Sequence, residues 1–202
     1  MKIAFYAPMK PPDDPVPSGD RTIARGLLAA LKEAGVEPIL ASRLRSRDGE
    51  GSPANQKALF AQAKTEIACL GDDSDIAECA AWLTYHNYYK APDLLGPTVS
   101  AQMGIPYLLA EATRAKKRLT GRWANFAHAA EAACDAAQVI FYASEHDHFA
   151  LSRDAPAGQM LQRLRPFLTQ EPTPFSPPPA GRLFAAGMMR AGDKMASYEL
   201  IA

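Results

Sequence analysis

KIAFYAP (residues 2–8), SGDRTIARGLLAALKEAG (18–35) and VEPILA (36–41) decide the fold when read together. The first segment is a short apolar run that a proline stops, which predicts a strand over Lys2–Ala7. The second spaces its apolar residues at three and four and closes on Gly35, which predicts a helix over Asp20–Ala34 with a glycine at its end. The third is a second apolar run, a strand over Val36–Ala41. Strand, helix, strand within forty residues is a βαβ unit, and such units build parallel sheets.

The same alternation continues outward. A polar glycine loop, RSRDGEGSPANQ (45–56), leads to a helix over Ala54–Cys69 and a short helix over Ser74–Ala80. A strand ending near Tyr85 comes next, then a helix over Pro92–Met103 stopped by Gly104. IPYLLAE (105–111) reads as a strand, ANFAHAAEAACDAA (124–137) as an alanine-rich helix, QVIFYA (138–143) as a strand, and MLQRLRPF (160–167) as holding the last one. The fold class expected is α/β: a Rossmann-like, doubly wound parallel sheet.

Residues 1–165 form this first domain in the sequence reading. Pro166, Pro172, Pro174, Pro177, Pro178 and Pro179 mark 166–180 as an extended linker. Residues 181–202, GRLFAAGMMRAGDKMASYELIA, then open a new unit with a strand over 182–186 and a helix from Lys194. A buried parallel strand needs neighbours and cover on both faces. The expectation is therefore a complete first domain followed by the beginning of a second.

The bulk composition fits a globular protein: 48% of the 202 residues are apolar and 22% charged. Twenty-two basic and twenty-two acidic side chains give a formal net charge of zero, so no global field favours nucleic acid. Cys69, Cys79 and Cys134 lie in apolar surroundings without CxxC spacing, which predicts buried, reduced thiols. The apolar run at the N-terminus is too short for a signal peptide, and no stretch reaches the length of a membrane span, so a cytoplasmic location is expected.

In open parallel sheets ligands sit beyond the carboxyl ends of the strands. Four strands deliver polar residues to that rim: Ser18, Gly19 and Asp20 after the first, His86, Asn87 and Tyr88 after the third, then Glu111, then Ser144 and Glu145. Neither GxGxxG nor GxxxxGK[ST] occurs, which disfavours dinucleotide and P-loop chemistry. Ser18 and Gly19 read either as an N-cap turn or as a helix start open to an anion. His86 reads either as a donor to a sugar hydroxyl or as a partner of a backbone carbonyl. Glu145, His146, Asp147 and His148 look like a metal box, but Ser144 with Asp147 is a capping pattern. Two histidines two residues apart also leave a helix on different sides, so no metal site is expected. Arg114, Lys116, Lys117, Arg118 and Arg122, interleaved with Leu119, Trp123 and Phe126, form a basic segment without an acid between Ala112 and Ala130. It reads as a docking surface for an acidic acceptor or an anionic membrane, or as a solvated loop.

The order KIAFYAP, SGD before a helix, WLTYHNYYKAPDLLG (82–96), IPYLLAEAT (105–113), AQVIFYAS (137–144), RLRPF (163–167) and LFAAGMMRAGDK (183–194) resembles the amino-terminal half of family 4 glycosyltransferases, retaining enzymes of GT-B architecture. The resemblance implies transfer of a sugar from a nucleotide-sugar donor to a saccharide or lipid-linked acceptor, without metal or cofactor, at the inner membrane face or in the cytoplasm. It places Gly19, with Ser18, in the loop near the reaction centre, and His86 as the catalytic residue against the transferred sugar. Arg190 and Lys194 become the cations gripping the donor diphosphate. Ser18, Glu111 and Ser144, placed by the strand ends rather than by the resemblance, are then the acceptor-side or rim residues. A leaving diphosphate gathers negative charge as its bond breaks, and two cations on a glycine turn stabilise it without metal. With the donor half missing, residues 1–202 alone are expected to transfer no sugar. The rival readings are a non-catalytic binding module of this fold and a sugar-nucleotide epimerase of GT-B shape.

Overall fold

A computed structural model describes residues 1–167 and, beyond them, Met195, Ala196 and Glu199. Arg190, Lys194, the strand expected at 182–186 and all but the first two residues of the proline-rich linker lie outside the described residues. The chain divides into Met1–Thr169 and Gln170–Ala202, and the architecture below is that of the first unit.

Six strands, β1 (Lys2–Tyr6), β2 (Glu37–Ser42), β3 (Cys79–Asn87), β4 (Tyr107–Ala112), β5 (Val139–Tyr142) and β6 (Met160–Arg163), form one sheet in the order β2-β1-β3-β4-β5-β6. Every pairing is parallel. The connections run through α1 (Gly19–Glu33), α2 (Pro53–Gly71), α3 (Ser74–Ala77), α4 (Gly96–Met103), α5 (Ala124–Ala136) and α6 (Glu145–Arg153), with a 3-10 turn at Lys116–Arg118. The α/β, doubly wound reading of the sequence is what the chain adopts, with most element ends within a residue or two.

Alternation along the strands feeds two cores. Ile3, Phe5, Ala81, Leu83, Tyr85 and Ala110 pack on the side of Ala24 and Leu27 of α1. Ala4, Tyr6, Trp82, Tyr107, Leu109 and Ile140 pack on the other side with Ala63 of α2, Val99 of α4 and Ala133 of α5. β1 winds outward to β2 and everything later winds the other way, so the strand order reverses between β1 and β3. That reversal is where the loops after two adjacent strands part, leaving a crevice at the carboxyl rim.

Three expectations need correction. The short helix placed over Ser74–Ala80 ends at Ala77, because Cys79 already pairs with Lys2 as the start of β3 and Ala80 follows it there. The helix placed at Pro92 begins at Gly96. The buried Asp93 carboxylate accepts the backbone N–H groups of Leu95 and Gly96, along with the hydroxyls of Thr84 and Tyr107, and so holds 92–95 as a turn. Of the three thiols expected to be buried, Cys79 and Cys134 are, whereas Cys69 is exposed. The buried stripe of α2 runs through Gln56, Leu59, Ala63 and Leu70, and Cys69 falls beside it.

Candidate functional site

The crevice between β1 and β3 is built from two loops. A proline-rich segment, residues 8–18, follows β1 and is pinned from outside: Arg25 Nε donates to the Pro12 carbonyl at 2.7 Å, and Arg21 donates to the Asp14 carbonyl at 2.8 Å. Asp14 in turn faces Lys10 and Arg45. Ser18 caps α1, its hydroxyl accepting the Arg21 N–H. Gly19 is exposed, and a Cβ built there would meet nothing within 4 Å, so the helix start behind it stays open to solvent. Asp20, in the first turn of α1, favours the positive end of the helix.

On the opposite wall His86 ends β3, and its Nδ1 lies 2.9 Å from Asp20 Oδ1. The bond to His86 is the main reason that the Asp20 carboxyl sits below its ordinary range, against the opposing effect of burial. An ionised carboxylate can only accept, so Nδ1 carries the proton and Nε2 is the ring nitrogen left for a ligand.

His86 has φ 68° and Glu111 has φ 61°, the two non-glycine residues with left-handed backbone among those described. They occupy equivalent positions on neighbouring strands, because Tyr85 pairs with Ala110 and Asn87 with Ala112. A left-handed residue costs a side-chain-bearing position about 1 kcal/mol or more and breaks the in-out alternation of a strand. The consequence is visible on both. After His86, Asn87 turns to α5, donating to the Ala130 carbonyl and toward Cys134 Sγ, while its Oδ1 accepts the Asp93 N–H. After Glu111, Ala112 joins the core on the α5 side, although the preceding Ala110 faces the α1 side. Freed from the pleat, His86 reaches α1 and Glu111 stays partly exposed at the rim. Glu111 stands by the Tyr85 phenol, whose pKa burial and this carboxylate push well above the usual value.

Of the rim residues expected from sequence, Ser18, Gly19, His86 and Glu111 border this crevice. Ser144 sits at the end of β5 as the cap of α6, its hydroxyl accepting the Asp147 N–H, as the capping pattern predicts. His148 of the same helix stacks on Tyr142 with centroids 4.5 Å apart. Asp20 was placed at this rim from sequence but given no role in the site. The signal available for it was an acid in the first turn after the first strand, facing the strand that becomes its neighbour across the switch point.

The basic segment divides into two parts. Arg114 is buried, not a surface cation: its guanidinium bonds Glu131 at 2.8 Å and Asp135 at 2.6 Å, both on α5. Lys116 pairs with Asp154 at 2.7 Å. Arg118 and Arg122 instead lie over Trp123. No described helix is long and apolar enough to cross a membrane.

Comparison of the sequence with protein-family models and with curated proteins finds no match.

Proposed function

We propose that this chain is the acceptor-side part of a retaining glycosyltransferase that takes its sugar from a nucleotide-sugar donor. The observation that carries the reading is the His86–Asp20 pair at the switch point, on a backbone held left-handed at His86 and beside it at Glu111. Strained backbone persists where surrounding structure over-determines it, and it gathers at sites that must hold a side chain in one place.

In this reading His86 Nε2 bonds a hydroxyl of the transferred sugar while Asp20 fixes the ring. Gly19 lets the donor approach the α1 N-terminus without a side chain in the way, and Glu111 and Ser18 border the acceptor path. Arg190 and Lys194 would neutralise the departing diphosphate. Fixed groups of this kind lower the barrier because their orientation is paid for in folding rather than at the moment of reaction.

The test incubates the protein with a panel of nucleotide sugars while nucleotide release is followed. His86→Ala and Arg190→Ala are each expected to lower turnover by about 10²-fold or more. Absence of release from every donor would refute the proposal. Unchanged turnover in His86→Ala would remove that residue from the site.

A further inference from the structure

From His86 an aromatic ledge leads away from the crevice. His86 to Tyr88, Tyr88 to Tyr89 and Tyr89 to Trp123 are successive ring pairs with centroids 5.0, 5.6 and 5.7 Å apart. Cations gather at its far end. Over the Trp123 indole lie Lys90 at 5.0 Å, Arg122 at 5.3 Å and Arg118 at 5.5 Å, and Arg118 also lies 5.2 Å from the centre of the Tyr89 ring.

Among the described residues none of these three has a carboxylate within ion-pair distance, although Arg114 of the same segment has two and Lys116 one. One acid of the adjoining loop is otherwise engaged. Asp48 is buried and accepts from Gln56 and from the Glu50 and Gly51 N–H groups, and Glu50 offers Arg122 its carbonyl. Trp123 is itself fixed by donating to the Asp48 carbonyl at 3.2 Å. Arg118 Nε is enclosed and has no hydrogen-bond partner. Rings hold the three cations together without neutralising them, and one guanidinium keeps an unspent donor; like charges so arranged repel until an anion joins them.

We infer that Lys90, Arg118 and Arg122 bind a phosphate or diphosphate group, and that the ledge carries the rest of that ligand to His86. The role as acceptor site rests on the transferase reading; the anion site itself does not. A phosphate on a soluble saccharide and one on a lipid headgroup present the same chemistry, and the experiment separates them.

Inorganic diphosphate is titrated into the whole chain carrying Arg190→Ala and Lys194→Ala, which silences the cations reserved for the donor. Trp123 emission and calorimetry report binding. A parallel arm measures sedimentation with phosphatidylcholine vesicles, with and without phosphatidylglycerol. Saturable binding of diphosphate, weakened about tenfold or more by Lys90→Gln with Arg118→Gln and within twofold of the parent in Lys117→Gln, is the result expected for a soluble phosphate. Binding to phosphatidylglycerol vesicles alone, lost in the same double variant, assigns the phosphate to a lipid. Binding of neither probe, or equal binding by the double variant with its melting temperature unchanged, overturns the site. Nucleotide release plays no part in either arm, so failure of the transferase reading leaves a different signature.

Discussion

His86 and Glu111 stand side by side at the ends of β3 and β4, and both are left-handed. Two strained residues in matching positions on neighbouring strands kink both chains alike, which aims His86 at Asp20 and hands Asn87 and Ala112 to the opposite core. If the strain is kept for the sake of the side chains, removing it has a signature. Glu111→Gly, which relieves the backbone, should raise stability by about 1 kcal/mol, whereas Glu111→Ala, which keeps the strain, should not. Urea midpoints of the two variants check this, and equal effects would contradict it.

Asp20 sits below its ordinary value of 3.8 because of His86. A carboxyl whose folded-state pKa is depressed stabilises the fold above its unfolded value, and that contribution is lost as pH falls through the folded value. Asp20→Asn should therefore be less stable than the parent at pH 5 and above. The gap should close as pH is lowered below about 4, the unfolded carboxylate range. Denaturation midpoints from pH 6 down to the acid limit give the measurement.

Arg114 side-chain exposure is 2% and that of Glu131 is 11%, so the pair is dry, while Asp135 is half in water. Arg114→Met leaves the Glu131 carboxylate buried with only the Ala115 N–H for company. The expected loss is about 3 kcal/mol, and Glu131→Leu added to it should recover part, because the uncompensated charge is then gone. Additive losses in the double variant would locate the effect elsewhere.

Gly96 and Gly19 should respond oppositely to alanine. A Cβ at Gly96 would run into the Asp93 carboxylate, the Tyr107 ring and the Trp82 indole, all buried. Gly96→Ala should cost about 2 kcal/mol or more, since none of those groups can step aside without breaking the Asp93 network. Gly19→Ala should leave stability unchanged or raise it by about 0.5 kcal/mol, because the space is empty and helix entropy favours alanine. Thermal melts of both variants decide.

Thiol labelling should find one reactive cysteine in the native protein. Cys69 is exposed, whereas Cys79 and Cys134 are buried, and burial pushes the Cys134 thiol up to about 12 despite Arg114 nearby. A maleimide should add once to the folded chain, at Cys69, and three times in denaturant, as intact mass will show.

What the sequence by itself determined was the periodicity. Runs such as KIAFYA and IPYLLA, separated by capped helices and stopped by Gly35 and Gly104, leave a parallel doubly wound sheet as the solution that buries both faces, and they place His86, Glu111 and Ser18 at its rim. Local pattern also carried Ser144 as a cap, because a capping bond spans three residues. What only the tertiary structure decided depends on partners far apart in the chain. His86 meets Asp20 across 66 residues, Arg114 is consumed by acids on α5, Asp93 halts a helix with help from Thr84 and Tyr107, and Lys90 joins Arg118 and Arg122 over one indole. A charge or a ring in the sequence says what it can bind. Which groups lie within reach of it is fixed by strand order and by the two left-handed residues at the strand ends, and those arise from packing rather than from local preference.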